Sequence, residues 1–266
     1  MGIVNITPDS FAEASHVLDP SAAVDRALRM QEEGADLIDV GGESTRPGAD
    51  PVSIDEELRR VLPVIERLNG PLHIPLSIDT YKAKVAEEAV SAGAVIVNDI
   101  HGLRDGGALA ETTAAAGAAL VLMHSRGTAK TMAGQAAYGD VVAEVADELR
   151  ESMARAVAAG MDLQRIILDP GIGFAKQAAH SYGVLTRLPE LAHALDRPLL
   201  VGPSRKSFLR GALGDRPAPE RDWGTAAAVT AAVLAGAHIV RVHAVGEMVQ
   251  VVRVAEHLRC NGSPRS

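Results

Sequence analysis

Eight short runs of β-branched and aliphatic residues recur along the 266-residue chain, each closing on polar residues and glycines before a stretch of helical spacing begins. Near-continuous apolar runs of this length suit parallel strands covered on both faces. They predict strands over 1–6, 35–40, 74–79, 94–99, 118–123, 165–169, 198–202 and 238–243, with helices in the intervals. The first helix is marked by Asp19-Pro20, an N-cap followed by a first-turn proline, and its apolar positions Ala23, Ala27 and Met30 run to a terminating Gly34. That stop recurs in Gly34-Ala35-Asp36, Gly93-Ala94-Val95, Gly117-Ala118-Ala119 and Gly236-Ala237-His238, a glycine between a helix and the next strand each time. Strand and helix in eightfold alternation predict an α/β protein of (β/α)8 TIM-barrel architecture, one domain over residues 1–260 with a disordered tail at 261–266.

Composition narrows the class. Hydrophobic residues make up 47% of the chain but aromatics only 3%, so the core must be built from Ala, Val, Leu and Ile. The formal charge of −8 gives no broad basic field for nucleic acid or membrane, so an anionic ligand needs a local basic pocket. One cysteine, Cys260, excludes an internal disulfide framework or a cysteine-based zinc cluster and suits a reducing cytoplasm. There is no signal-peptide pattern and no uninterrupted apolar run of about 18 residues, and the expectation is a soluble cytoplasmic protein. The charges of a long helix over 139–159, Glu144 and Glu148 among them, are read as its solvated side.

The strand ends carry the candidate chemistry, because a (β/α)8 barrel gathers them around one mouth. Asp79, Asn98 and Asp169 end three separate strands; two carboxylates and an amide match the amino-lactam edge of an amino-pyrimidinone, although each taken singly also reads as a strand-end cap. In Asp39-Val40-Gly41-Gly42-Glu43-Ser44-Thr45-Arg46-Pro47-Gly48 the paired glycines let backbone N–H groups approach an anion, and Thr45 and Arg46 offer contacts to phosphate or ring substituents. The alternative there is a tight turn with Asp39 capping local N–H groups. Lys206, Arg241 and His243 follow the seventh and eighth strands, the common phosphate corner of this fold. Arg241 has a second possibility, pairing with a carboxylate on the floor of the mouth. Asn5 ends the first strand, and an amide oxygen beside phosphates suits Mg²⁺. His124 and His243 lack a third His or Cys partner, which makes hydrogen bonding the expectation for each rather than zinc.

Other chemistries drop out. Gly171-Ile172-Gly173 lacks the third glycine of a dinucleotide fingerprint, and neither a P-loop nor a Gly-x-Ser-x-Gly elbow occurs. With these residues in view the chain resembles the dihydropteroate synthase family. The resemblance rests on Asn5-Ile6-Thr7-Pro8-Asp9-Ser10-Phe11, the stretch Gly34 to Gly48, Ser77-Ile78-Asp79-Thr80, Val97-Asn98-Asp99, Leu168 to Phe174, Ser204-Arg205-Lys206-Ser207-Phe208 and Arg241-Val242-His243, in order.

The resemblance implies an enzyme of folate synthesis that joins 6-hydroxymethyl-7,8-dihydropterin diphosphate to 4-aminobenzoate. It implies that Asp79, Asn98, Asp169 and Lys206 hold the pterin, with Met123 packing near it and Asp79, Asp169 and Lys206 as catalytic residues. It further implies Mg²⁺ on Asn5, the diphosphate on Thr45, Arg241 and His243, an aminobenzoate site shaped by Thr45, Arg46, Pro47, Phe174 and Ser207, and a homodimer. Ala12-Glu13-Ala14-Ser15, Ala244 and the run from Ala175 to Ser181 depart from the family pattern, so the aminobenzoate rim and the response to sulfonamides are expected to differ. Two rival functions are a pterin-dependent methyltransferase, which has no use for a diphosphate clamp, and a catalytically silent pterin-binding paralogue.

Overall fold

Six strands pair in chain order into one parallel sheet: β1 (Gly2–Asn5), β2 (Ile38–Gly41), β3 (Leu76–Asp79), β4 (Ile96–Asp99), β5 (Ala119–Met123) and β6 (Ile166–Asp169). Two shorter strands, β7 (Leu200–Val201) and β8 (Ile239–Val240), pair with each other. Isolated bridges join the two sheets into a ring. Leu168 meets Leu199, and Gly2 meets Val242, where the Ile3 N–H donates to the Val242 carbonyl at 3.0 Å. The barrel expected from the pattern is therefore closed, with its seam between the first and last strands. The computed structural model describes residues 1–7, 20–46 and 48–262. Asp19, Pro47, the stretch Ala12-Glu13-Ala14-Ser15 and residues 263–266 of the expected tail lie outside the described residues.

The helices are α1 (Pro20–Glu32), α2 (Ile54–Leu68), α3 (Ala83–Ser91), α4 (Ala108–Ala115) and α5 (Val141–Ala158). After β6 come α6 (Ala178–Thr186) and α7 (Leu188–Leu195), and after β7 a short α8 (Arg210–Leu213) and α9 (Asp222–Leu234). The last helix, α10 (Val245–Gly262), runs through Asn261 and Gly262, so those two residues belong to a helix rather than to a disordered tail. It also equals α5 in length, 18 residues each.

The glycine stops are real caps. Gly34 has φ +99°, its N–H donates to the Gln31 carbonyl, and the next N–H, of Ala35, reaches back to Met30. The paired bonds satisfy carbonyls the helix end leaves open, in a left-handed turn that glycine adopts without a Cβ clash. The same pair of bonds follows Gly93, Gly117, Gly160 and Gly236, which turns five helices back into the next strand by one mechanism.

Side chains alternate in and out along each strand, and the two sides differ in chemistry. Outward residues such as Val4, Val40, Ile78, Val97 and Leu120 pack on the helices in the main core. Inside, a small cluster of Met1, Ile96, Val121 and Leu200 plugs the lower barrel. Above it the inward positions turn polar, and Asp39, Ser77, Asp79, Asn98 and Asp169 are all buried. The fold thus presents an apolar plug with a charged floor on top of it, opening toward the strand ends.

Candidate functional site

Register brings the polar strand ends to one level. Asn5 pairs with Gly41, Gly41 with Asp79, Asp79 with Asn98, and Met123 with Asp169. Asp39 lies two residues deeper on β2, fully buried at 0% exposure. Its Oδ2 accepts from Asn98 Nδ2 at 3.0 Å and from Arg241 Nε at 2.6 Å. Arg241 Nη2 then donates to Asp79 Oδ2 at 2.8 Å. Four strands are tied by these three bonds, and the floor pairing that was the second possibility for Arg241 is what this structure contains. Burial pushes the Asp79 carboxyl well above the usual carboxylate range, Arg241 pulls it back, and Asp39 adds repulsion. Asp169 is raised by burial too, against the pull of Lys206.

Asp169 accepts from the Gly171 N–H at 2.7 Å, which folds the loop after β6 sharply over the mouth. Gly171 has φ +68°, and a Cβ there would lie 1.9 Å from the His124 carbonyl oxygen, so no other residue fits. This turn carries Phe174, whose ring lies 4.5 Å from Lys206 Nζ. Lys206 Nζ donates to the Ile172 carbonyl at 2.6 Å and is lowered to about 8 by burial, Asp169 opposing the shift. Ser207 follows it, exposed on the rim, and Met123 is buried at the end of β5.

Beside this floor lies a cationic corner. The His243 N–H donates to Ser204 Oγ at 3.2 Å, and its Nδ1 lies 2.9 Å from the same oxygen. His243 is lowered to about 3 by burial, then by Arg241, Arg205, Arg26 and Arg46, so at neutral pH it is an uncharged imidazole among arginines. Arg205 is committed to Asp222 through two bonds of 2.7 Å. Arg46 is exposed. Thr45 lines a cavity of about 300 Å³ together with Tyr81, His101, Arg104, Lys130 and Phe174. Asn5, half-buried, makes no side-chain hydrogen bond among the described residues, and none of their His, Cys, Asp and Glu residues form a cluster of three able to hold a metal ion. A free amide oxygen without such a cage fits an ion that takes its other ligands from water and phosphate, as Mg²⁺ does.

Three supports escaped the sequence. Asp39, for which the sequence offered a local cap only as the alternative reading of its loop, joins Asn98 and Arg241. Lys82 Nζ bonds Glu43 at 2.6 Å, the Val52 carbonyl at 2.8 Å and Glu57 at 2.5 Å, which ties down both ends of the Thr45 loop. Glu57 had a visible signal, since it sits in the buried stripe of α2 with Val61, Val64, Ile65 and Leu68. The third is a chain behind Phe174: Lys176 Nζ lies 2.7 Å from His124 Nδ1, and His124 Nε2 lies 3.1 Å from Glu148. Glu148 also binds Arg126, as does Glu144, so these α5 carboxylates hold the loop after β5 rather than forming a merely solvated side. His124 has the hydrogen-bonding place expected of it. Ala175 sits at φ +47°, a left-handed conformation unfavourable to alanine.

The comparisons agree with this geometry. The model of a family described as pterin binding enzyme matches residues 1–243. The chain belongs to that family of pterin-binding barrels. It is 46% identical to a dihydropteroate synthase of Synechocystis sp. over 97% of this chain and 89% of the relative. Among solved structures, a Yersinia pestis dihydropteroate synthase in a sulfonamide drug complex superposes with a TM-score of 0.91 at 43% identity, covering 97% of this chain and 93% of that one. A Xanthomonas albilineans dihydropteroate synthase with 4-aminobenzoic acid gives 0.89 at 43% identity, covering 97% and 92%.

The buried histidine makes a pH test. In the unfolded chain His124 takes its proton near 6.5, in the fold only near about 4, chiefly because burial disfavours the cation. Between those values the unfolded chain binds more protons, so this residue contributes stability that is complete above 6.5 and lost as pH falls toward about 4. Thermal melts of wild type and His124→Gln across that window should show the difference moving steadily in favour of the variant as pH drops. A difference independent of pH would contradict the burial account.

Proposed function

We propose how the residues at this mouth divide the work of a dihydropteroate synthase, the activity that goes with this family and these relatives. The enzyme joins 6-hydroxymethyl-7,8-dihydropterin diphosphate to 4-aminobenzoate and releases diphosphate. The observation that carries the division of roles is the meeting of Asp79, Asn98, Asp169 and Lys206 from separate strands beside the corner of Arg241 and His243. An amino-lactam edge needs acceptors for its N–H groups and a donor for its carbonyl. Asp79, Asn98 and Asp169 supply the acceptors, and Lys206 supplies the donor.

The reaction is a substitution of SN1 character. The bond between the pterin methylene and the diphosphate oxygen breaks as the reduced ring donates its lone pair, and the aminobenzoate nitrogen then bonds to the methylene and loses a proton. Asp79 and Asp169 stabilise the cationic ring, while Arg241, His243 and Thr45 hold the departing diphosphate in the cationic corner. Mg²⁺, when bound on the Asn5 amide oxygen, supplies further charge neutralisation to the leaving group. Thr45, Arg46, Phe174 and Ser207 flank the aminobenzoate, and the described loops that carry them exclude water from it. No residue of the chain serves as a covalent nucleophile.

We further propose a homodimer through the outer wall. The inner face of α9 (Thr225, Ala228, Val229, Ala232 and Val233) is buried, but Trp223 is 85% exposed, and Val254 and Leu258 on α10 are exposed as well. No described helix is long and apolar enough to cross a membrane, and a lone exposed thiol at Cys260 suits a cytoplasmic enzyme.

Purified protein incubated with the pterin diphosphate, 4-aminobenzoate and Mg²⁺ should release diphosphate only when the amine is present; amine-independent release, or none, contradicts the assignment. Lys206→Ala should weaken pterin diphosphate binding about 10- to 100-fold, from the ~1.5–3 kcal/mol of a hydrogen bond involving a charged partner, as read by calorimetry. Asn5→Ala should raise the Mg²⁺ concentration for half-maximal rate with little change in kcat at saturating Mg²⁺. An unchanged Mg²⁺ requirement would remove Asn5 from the metal site.

A further inference from the structure

Asp39 touches none of the ligand-facing surface, yet two members of the pterin floor hang from one of its oxygens. The strand register puts it two residues below Gly41, whose neighbours across the sheet are Asp79 and, one strand further, Asn98. Asn98 therefore directs Nδ2 downward, at 3.0 Å from Asp39 Oδ2. Asp39 offers only acceptors while it is paired with the Arg241 guanidinium, so the nitrogen of the Asn98 amide must be the atom that faces it. The amide oxygen is left pointing up toward the mouth, with no donor among the described residues. Arg241 reaches the same Asp39 oxygen by Nε at 2.6 Å and Asp79 by Nη2 at 2.8 Å. The first of these bonds lies at the buried floor and the second at the mouth.

We propose that Asp39 is the positioning residue of the pterin floor: it fixes the Asn98 amide with its oxygen toward the ligand, and it tethers Arg241 by Nε so that the guanidinium can release Asp79 to the ligand without leaving the site. The inference rests on the pterin reading of this mouth and adds a specificity rule to it. A heterocycle must present an N–H to Asn98, because a bare ring nitrogen would set two acceptors against each other and leave both unpaired. The exchange at Asp79 needs no second cation, since Arg241 keeps its charge partner below. The other Asp39 oxygen, Oδ1, is buried without a hydrogen-bond partner, so the carboxylate depends on these two donors for its solvation.

The test is a binding cycle on the full-length protein, with calorimetric titration of the pterin diphosphate in Mg²⁺, the KM for 4-aminobenzoate, and a thermal melt for each variant. Asp39→Asn removes the feature that fixes the amide and should raise the pterin diphosphate Kd by about tenfold or more while leaving the aminobenzoate KM unchanged. Asn98→Asp sets two carboxylates face to face and should also weaken binding. The exchanged pair, Asp39→Asn with Asn98→Asp, restores a donor below and an acceptor above, and should bind more tightly than either single variant. Losses in the exchanged pair that simply add, or an Asp39→Asn Kd equal to wild type, would overturn the proposal. Should the Asp39 variants fail to fold, position 98 alone decides: Asn98→Asp must bind more weakly than Asn98→Ala, and tighter binding by Asn98→Asp overturns it. The Kd and the melt need no turnover, so a wild type that binds pterin diphosphate but shows no amine-dependent release would count against the proposed activity and not against this role of Asp39.

Discussion

One guanidinium shared by two carboxylates organises this molecule's chemistry. Arg241 comes from the last strand, Asp39 and Asp79 from the second and third, and their bonds span the seam at which the barrel closes. Burying three charged groups is costly unless they are paired, and removal of one partner from such a set is far more damaging than its net contribution suggests. The floor can exist only if the ring is shut, because an open sheet would leave β8 and its arginine without the carboxylates they meet. Closure and site are in this sense one requirement.

The same logic recurs in the loops around the floor. Lys82 ties the Thr45 loop to α2 and to its own strand end, and the Lys176, His124 and Glu148 chain fastens the Phe174 turn to β5 and α5. Lys176 is lowered to about 7 by burial, and His124 to about 4, so the Lys176–His124 link is a hydrogen bond to an uncharged imidazole at neutral pH rather than an ion pair. Stiff supports of this kind hold ligand groups in place before binding, which reduces the ordering that binding must impose. The cationic corner is complementary to the floor. It surrounds an uncharged His243 with arginines and is suited to an anion, whereas the floor is suited to N–H groups.

Much of this was legible beforehand because parallel strands end in register and side chains alternate with period two. Asp79, Asn98 and Asp169 could be assigned to one mouth from their places at the ends of apolar runs. Depth was not legible. Asp39 stands in the same motif as Thr45 and Arg46, and nothing in the string says that it lies below the ligand rather than beside it. Glu148 misled for a related reason, since charges at helical spacing look alike whether they meet solvent or a neighbouring loop. β7 came out shorter than the apolar run over 198–202 because Pro198 and Pro203 flank it and have no N–H to extend its ladder. Glu57 was the opposite case, a charged residue in an apolar stripe whose partner, Lys82, is 25 residues away.

A crystal structure of this protein with a pterin bound addresses the central claim most directly. The account predicts the amino-lactam edge between Asp79, Asn98 and Asp169, the Asn98 to Asp39 bond intact, and Arg241 still on Asp39 but parted from Asp79. A pterin seated instead in the cavity lined by Tyr81 and Arg104, or an Asn98 turned with its nitrogen to the ligand, would contradict it.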